Sequence, residues 1–481
     1  MRLSLLVSSL LLSAVLQAES IDETLSGFDD ETTQTSVSSS SDIQDGFDDD
    51  VTTARLMPTS EEKGFFTNLF ADFSGKITQQ GAISYNDLRP QNVFGSLRQS
   101  LFLYYEHKFE NGMKVKVNGR AFYDPMYDTS NANFYPAEID ELNSEVELFE
   151  AYIEGNIAEN LEARLGRQVV IWGKSDTIRV TDVLNPIDNR RPGYQDIEDL
   201  YLPTTMLKFD YQYDENWRIS PIVILEQRFT KDPPYGSLYH PLSPAESYDD
   251  YVATGKPIFD IEHDSYNDPT FALSIGGEFE GWDINFYAAH LYEARGYVPT
   301  DELLNPNIIN KRFQHNKTNM FGSAFNIVEG GFLFKAELAY FDNLTYTSEQ
   351  AESLSRTDVL LGFEYNGFSD TTLSYDFALR HFNEDNPQLA VPLENFYEQD
   401  TYQHALRLSS SFMRDTLNAN YLISLYGKNL DEGGFQRAWL DIELADALNT
   451  QFGLIGYFGG SPLFEKVSDH VVVFMDISYS F

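Results

Sequence analysis

The chain has 481 residues, no cysteine and a formal net charge of −42. Such a charge repels a phosphate backbone and excludes nucleic acid as a partner; without cysteine, neither disulfides nor thiolate metal sites hold the fold. Aromatic residues make up 14% of a chain that is only 42% hydrophobic, which suits apolar bands alternating with polar positions rather than the continuous apolar runs of a large soluble core.

Met1 to Ala18 reads as a secretory signal peptide: Arg2 supplies the positive start, Leu3 to Leu16 the short apolar run, and Ala14 and Ala18 the small residues at the cleavage positions. Cleavage is expected near Glu19, with no cysteine to carry a lipid anchor. Beyond it no stretch approaches the roughly 18 to 20 apolar residues of a membrane-spanning helix. Residues 19–64 are acidic, with no Lys or Arg before Arg55, and are expected to form a disordered periplasmic tail. Two Gly-Phe-Asp-Asp copies lie within it, one carrying Phe28, Asp29 and Asp30 and the other Phe47, Asp48 and Asp49. An exposed Phe flanked by carboxylates suits a basic-rimmed apolar pocket, and two copies on one tether raise effective concentration. The pair therefore reads either as docking motifs for a periplasmic or exporter partner or as a solvated linker.

Residues 65–481 are a succession of alternating segments. Candidate strands start near residues 66, 96, 113, 144, 160, 205, 216, 270, 281, 314, 331, 356, 371, 400, 416, 434, 448 and 470. Short connections rich in Gly, Asn and Asp, such as Glu110 to Gly112 and Glu280-Gly281, take turns with long polar ones such as 125–143, 172–203 and 229–269. In the last strand Val471, Val473, Met475, Ile477, Tyr479 and Phe481 share one face, while His470, Asp476, Ser478 and Ser480 share the other. The fold class is all-β: a transmembrane antiparallel β-barrel of about 18 strands, with 16 as the alternative, integral to the cell outer membrane with both termini periplasmic. Outer-membrane lipid and lipopolysaccharide would surround it, and the terminal Phe481 would engage the barrel-assembly machinery.

Alternation places many cations inward, among them Arg98, Arg120, Arg164, Lys208, Arg218 and Arg228, since a charge facing lipid at the midplane costs around 2 to 4 kcal/mol. Carboxylates share that face, including Glu150, Glu154, Asp210, Glu226, Glu337, Glu364 and Asp376. Two readings stand: cross-strand ion-pair ladders, or a cationic strip that handles anionic or amphipathic solutes.

The densest signal runs from Gly166 through Trp172, Gly173, Lys174, Asp176, Arg179, Asp182, Asn185, Asp188, Arg190 and Arg191 to Pro203. With Trp172 and Gly173 taken as the strand end, this connection of roughly 30 residues is long enough to suggest function. Pro186 and Pro192 forbid a long regular element, and the interleaved Arg and Asp residues pair locally. It is expected to be ordered and either to fold into the lumen as a constriction or to cap the barrel from outside.

The run from Gly166 to Pro203, with its Trp-Gly, Asp176, Arg179, Asp182 and Asn-Pro-x-Asp, together with Pro233, Pro234, Gly236 and Ser237, resembles a domain-of-unknown-function family of proteobacterial outer-membrane barrels. The resemblance implies a porin-like protein, often encoded beside resistance-nodulation-division-type exporters, that moves lipids or other hydrophobic compounds. The function expected is a porin-like channel or conduit for small anionic or amphipathic solutes; the alternative is a structural or adhesive barrel without transport. An enzyme is not expected, because the eight His residues are scattered and no Ser sits in a nucleophile elbow. No cofactor or metal is expected either.

Overall fold

The computed structural model describes residues 73–85, 94–129, 134–240, 243, 244, 246–254, 260–263, 265–299, 302, 305, 310–346, 353–384 and 398–481. The signal segment and the acidic tail, with Phe28, Asp29, Asp30, Phe47, Asp48 and Asp49, lie outside the described residues.

Eighteen antiparallel strands form a ring: β1 (Phe73–Tyr85), β2 (Gln99–Lys108), β3 (Lys114–Tyr123), β4 (Ser144–Ala158), β5 (Leu161–Gln168), β6 (Thr204–Gln212), β7 (Trp217–Ile224), β8 (Thr270–Phe279), β9 (Trp282–Tyr292), β10 (Lys317–Glu329), β11 (Phe332–Leu344), β12 (Leu354–Phe368), β13 (Thr371–Phe382), β14 (Asp400–Phe412), β15 (Leu417–Tyr426), β16 (Gly434–Ala445), β17 (Leu448–Phe458) and β18 (Val471–Ser480). Each pairs with its sequence neighbours, and β18 closes on β1 in a register that sets Lys76 opposite Ser480 and Tyr85 opposite Val471. A short strand, Phe94–Ser96, continues β2 against β1 in the same register, Ala82 opposite Ser96 as Gln79 is opposite Gln99, beyond a break at Leu97 and Arg98. Closure leaves no unpaired edge, which a hydrocarbon environment demands of a sheet. The strand starts follow the expected ones within three residues, except the first, where residues 66–72 are not described.

Tight turns gather at one end. Phe279 pairs with Trp282 around Glu280-Gly281, and Gly281 takes φ +81°, a left-handed conformation that costs glycine least. Long connections gather at the other end and pack on one another. Tyr135, fully buried, meets Tyr235 edge-to-face at 5.7 Å and Tyr248 at 5.4 Å, joining the connection before β4 to the one before β8.

The wall is apolar outside. On β11 Phe334 and Leu338 are exposed at 44% and 48%, whereas Lys335 and Glu337, which point inward, fall to 5% and 3%. The last strand follows its sequence reading, with Met475, Ile477, Tyr479 and Phe481 exposed. Its inward face differs from the wholly polar one expected, because Val472 and Phe474 are buried beside Tyr194 of the connection between β5 and β6. The core of this protein sits inside the ring, where that connection supplies the apolar partners.

Candidate functional site

The wall strand β5 ends at Gln168, five residues before the Trp172-Gly173 end expected from the sequence. The reason is a side chain that takes over from the strand ladder. Asn185, fully buried, accepts the N–H of Val170 at 2.8 Å and donates to the carbonyls of Leu202 at 3.0 Å and Gln168 at 3.3 Å, bracing the entry and exit of the segment 169–203. Asp182 makes a second brace: it accepts the N–H of Trp172 at 3.2 Å, the Arg179 guanidinium at 2.8 Å and the Tyr201 hydroxyl. Arg179 also donates to the carbonyl of Asn185 at 2.6 Å.

So braced, the segment turns inward. Val170, Trp172, Ile178, Val180 and Leu184 join one apolar cluster with inward residues of the wall, including Met206, Ile222, Met320 and Leu360. Trp172 stacks on Tyr287 of β9 at 4.6 Å. Two wall carboxylates hold it. Glu337 of β11 accepts the N–H groups of Lys174 at 2.7 Å, Ser175 at 3.1 Å and Thr181 at 2.9 Å, and the Thr181 hydroxyl at 2.7 Å. Asp376 of β13 accepts the hydroxyls of Ser175 and Thr177 at 2.7 and 2.6 Å. Gly173, at φ +92°, lets the chain pass: a Cβ there would lie 3.0 Å from both Glu337 oxygens. Lys174 pairs with Asp283 at 2.5 Å, and Asp176 with Lys335 at 2.9 Å.

The distal half reaches the other side of the ring. Arg190 binds Asp188 through two nitrogens at 2.8 and 2.6 Å and Glu145 of β4 at 2.6 Å. Arg191 donates to the Gln80 side chain of β1, and the carbonyl of Pro192 accepts the Tyr457 hydroxyl at 2.7 Å. Asp196 pairs with Arg407 at 3.1 Å and Arg437 at 3.3 Å. In a ring of this order β1 and β11 face each other across the lumen, so the segment bridges opposite walls.

Electrostatics inside the segment are uneven. Burial opposes ionisation of Asp188, but the Arg190 guanidinium that hydrogen-bonds it outweighs burial and holds the carboxyl down at about 2. Burial and then the nearby Asp176 push Glu198 up to about 7.

The strand cations expected to form a strip are largely paired. Arg120 meets Glu147 at 2.8 Å, Arg164 meets Glu154 at 2.5 Å, Lys208 meets Asp210 at 2.9 Å and Arg218 meets Glu278 at 3.5 Å, while Arg228 also binds Glu147. Arg98 differs and lies over the Phe122 ring at 3.9 Å. The structure thus gathers Trp172 to Asn185 in one knot and Asp188 to Arg191 in another, with Lys208 and Arg218 apart near the short-turn end. Sequence reading had placed Glu337 and Asp376 on the inner wall without assigning them as anchors, and it missed Gln80, Tyr287 and Arg437. Each sits in an ordinary strand, so no local signal marks it.

The fold is similar to those of several solved structures. These include OccAB3 of Acinetobacter baumannii (12% identity over 85% of this chain and 99% of that one, TM-score 0.47) and the outer membrane protein OpdK of Pseudomonas aeruginosa (10% identity, 85% and 99%, TM-score 0.49). OccK8 (OprE) of Pseudomonas aeruginosa is similar at 11% identity, 85% and 98% coverage and a TM-score of 0.48. No curated protein sequence matches. The family model described as "Protein of unknown function (DUF1302)" matches residues 1–481, and the chain belongs to that family.

Proposed function

We propose that this barrel is a porin-like channel of the outer membrane whose segment 169–203 narrows the lumen to a passage for small solutes. The observation that carries this reading is the bridge itself: Glu337 of β11 holds the segment on one wall, Gln80 of β1 and Glu145 of β4 hold it on the opposite one, and Asp376, Arg407, Arg437 and Tyr457 hold it along the arc between them. A segment fixed at both sides of an 18-strand ring divides a lumen that would otherwise be wide and aqueous. The long connections then face the exterior, and the short turns and both termini the periplasm, as outer-membrane barrels arrange them. The paired Phe28 and Phe47 motifs support a periplasmic partner for the tail, in keeping with an exporter-linked conduit.

The test is planar-bilayer current through the refolded chain, intact and lacking residues 174–191. Steady current that grows on deletion supports a pore narrowed by the segment. Equal currents sink the constriction. Silence from both, with folding shown by a heat-dependent gel shift, sinks the channel and favours a structural barrel closed by its own segment.

A further inference from the structure

The arginines that line the ring and the inserted segment have carboxylate partners at salt-bridge distance, from Arg120 and Arg164 round to Arg407 and Arg437. Among the described residues Arg98 and Arg191 have none. Arg98, just before β2, makes no hydrogen bond from its guanidinium to any described residue, and its Nε is buried without a partner. Arg191 gives a single hydrogen bond, to Gln80. The two are held as neighbours, because the main-chain N–H of Gln80 donates to the Arg98 carbonyl at 2.8 Å while its side-chain oxygen accepts from Arg191. Arg98 lies close enough to Arg191 to feel its charge.

We propose that Arg98 and Arg191 form a site for the oxyanion head of a solute, a carboxylate or a phosphate, between the β1–β3 wall and the inserted segment. A guanidinium carries five N–H donors in one plane, in a fork that matches two oxygens of an oxyanion. Both heads lie over ring faces, Arg98 over Phe122 at 3.9 Å and Arg191 over Tyr194 at 4.0 Å, an arrangement that leaves the in-plane donors for another acceptor. Buried charged donors without acceptors are costly, so an incoming oxyanion gains what the protein does not supply. Neither neighbouring carboxylate hydrogen-bonds the pair: Asp124 accepts the Ser96 hydroxyl at 2.6 Å and the Leu97 N–H at 3.0 Å, and Asp476 accepts the Gln80 amide at 3.2 Å through one oxygen while its other oxygen is buried without a partner among the described residues. Arg190, over the same Phe122 ring at 5.7 Å, is saturated by Asp188 and Glu145 and serves as a fixed wall.

The role of this site in passage rests on the channel reading, whereas oxyanion binding does not, so both are measured on the full-length protein in detergent and in bilayers. Sodium acetate and inorganic phosphate are titrated calorimetrically against wild type, Arg98→Gln, Arg191→Gln and, as a control that removes a paired lumen cation, Arg218→Gln. Saturable binding of either anion is expected, weakened about tenfold or more by each of the first two changes and little by the third; acetate alone, phosphate alone or both binding tells which head fits. No saturable binding to wild type, or equal weakening by Arg218→Gln, overturns the site. Arg191→Gln keeps the test decisive if Arg98→Gln fails to fold. Binding without bilayer current retains the site and removes the channel; current without binding does the reverse.

Discussion

Thr181 gives both its main-chain N–H and its hydroxyl to one oxygen of Glu337, at 2.9 and 2.7 Å, tying the inserted segment to a strand 156 positions away in sequence. The other oxygen takes the N–H groups of Lys174 and Ser175, so one carboxylate holds both limbs of the turn between them. A wall carboxylate used in this way acts as a clamp.

Glu337→Ala removes the clamp and leaves those N–H donors buried. A loss of about 3 kcal/mol in the local stability of the segment is expected, since charge-assisted hydrogen bonds contribute ~1.5 to 3 kcal/mol each and do not add fully. Amide hydrogen exchange at Lys174, Ser175 and Thr181 should speed up while β11 stays protected. Unchanged protection at those amides counts against the clamp.

Asp188 is held at about 2 in the fold against its ordinary 3.8, so it stabilises the segment by about 2 kcal/mol at neutral pH. With the folded value depressed, that contribution is complete above about pH 4 and disappears as pH falls toward 2. Protease sensitivity of the segment should therefore rise over that range, and Asp188→Asn should remove the dependence. Arg190→Met, which leaves Asp188 only Arg120 at 3.8 Å and Glu145 only Lys231, should cost about 2 to 3 kcal/mol at pH 7, less than the ~3 to 5 kcal/mol of a buried pair broken with no second partner.

Glu198 has the opposite sign. Its folded value, about 7, lies above the ordinary 4.5, so ionisation disfavours the folded segment and stability from this group is lost as pH rises from 4.5 toward 7. Across pH 6 to 8 the segment gains one negative charge beside Asp176, Asp196 and Asp199. Reversal potentials in a salt gradient should shift toward cation preference over that interval, and Glu198→Gln should flatten the shift. An identical pH response in both proteins refutes the assignment.

Met475, exposed at 47% on the outer face of β18, should tolerate Leu and reject Arg. A guanidinium facing hydrocarbon there costs up to ~2 to 4 kcal/mol, depending on depth. Ser478, on the inner face, should accept Asn with little loss. Refolding yield into lipid vesicles, read by heat-dependent gel mobility, separates the two faces; equal yields would place β18 outside a membrane wall.

Strand number, strand order and the outward face were determined by the sequence alone, because period-two alternation is a local property that lipid on one side and water or protein on the other enforce at every residue. Phe334 and Leu338 against Lys335 and Glu337 show this within five positions. The order of the segment after β5 was also legible, from its prolines and its interleaved Arg and Asp residues. What only the tertiary structure decided is where that order points. Asn185, Asp182 and Arg179 brace the segment from within, but its inward turn depends on Glu337, Asp376, Tyr287 and Gln80, which lie on distant strands and look like any other inward residue in their own neighbourhoods. The pairing of charges was equally hidden: Arg164 and Arg98 read alike in sequence, yet Arg164 meets Glu154 at 2.5 Å, whereas Arg98 lies over the Phe122 ring and makes no ion pair among the described residues. Alternation assigns a side chain to a face, whereas its partner is set by register across the sheet and by what the lumen brings against it.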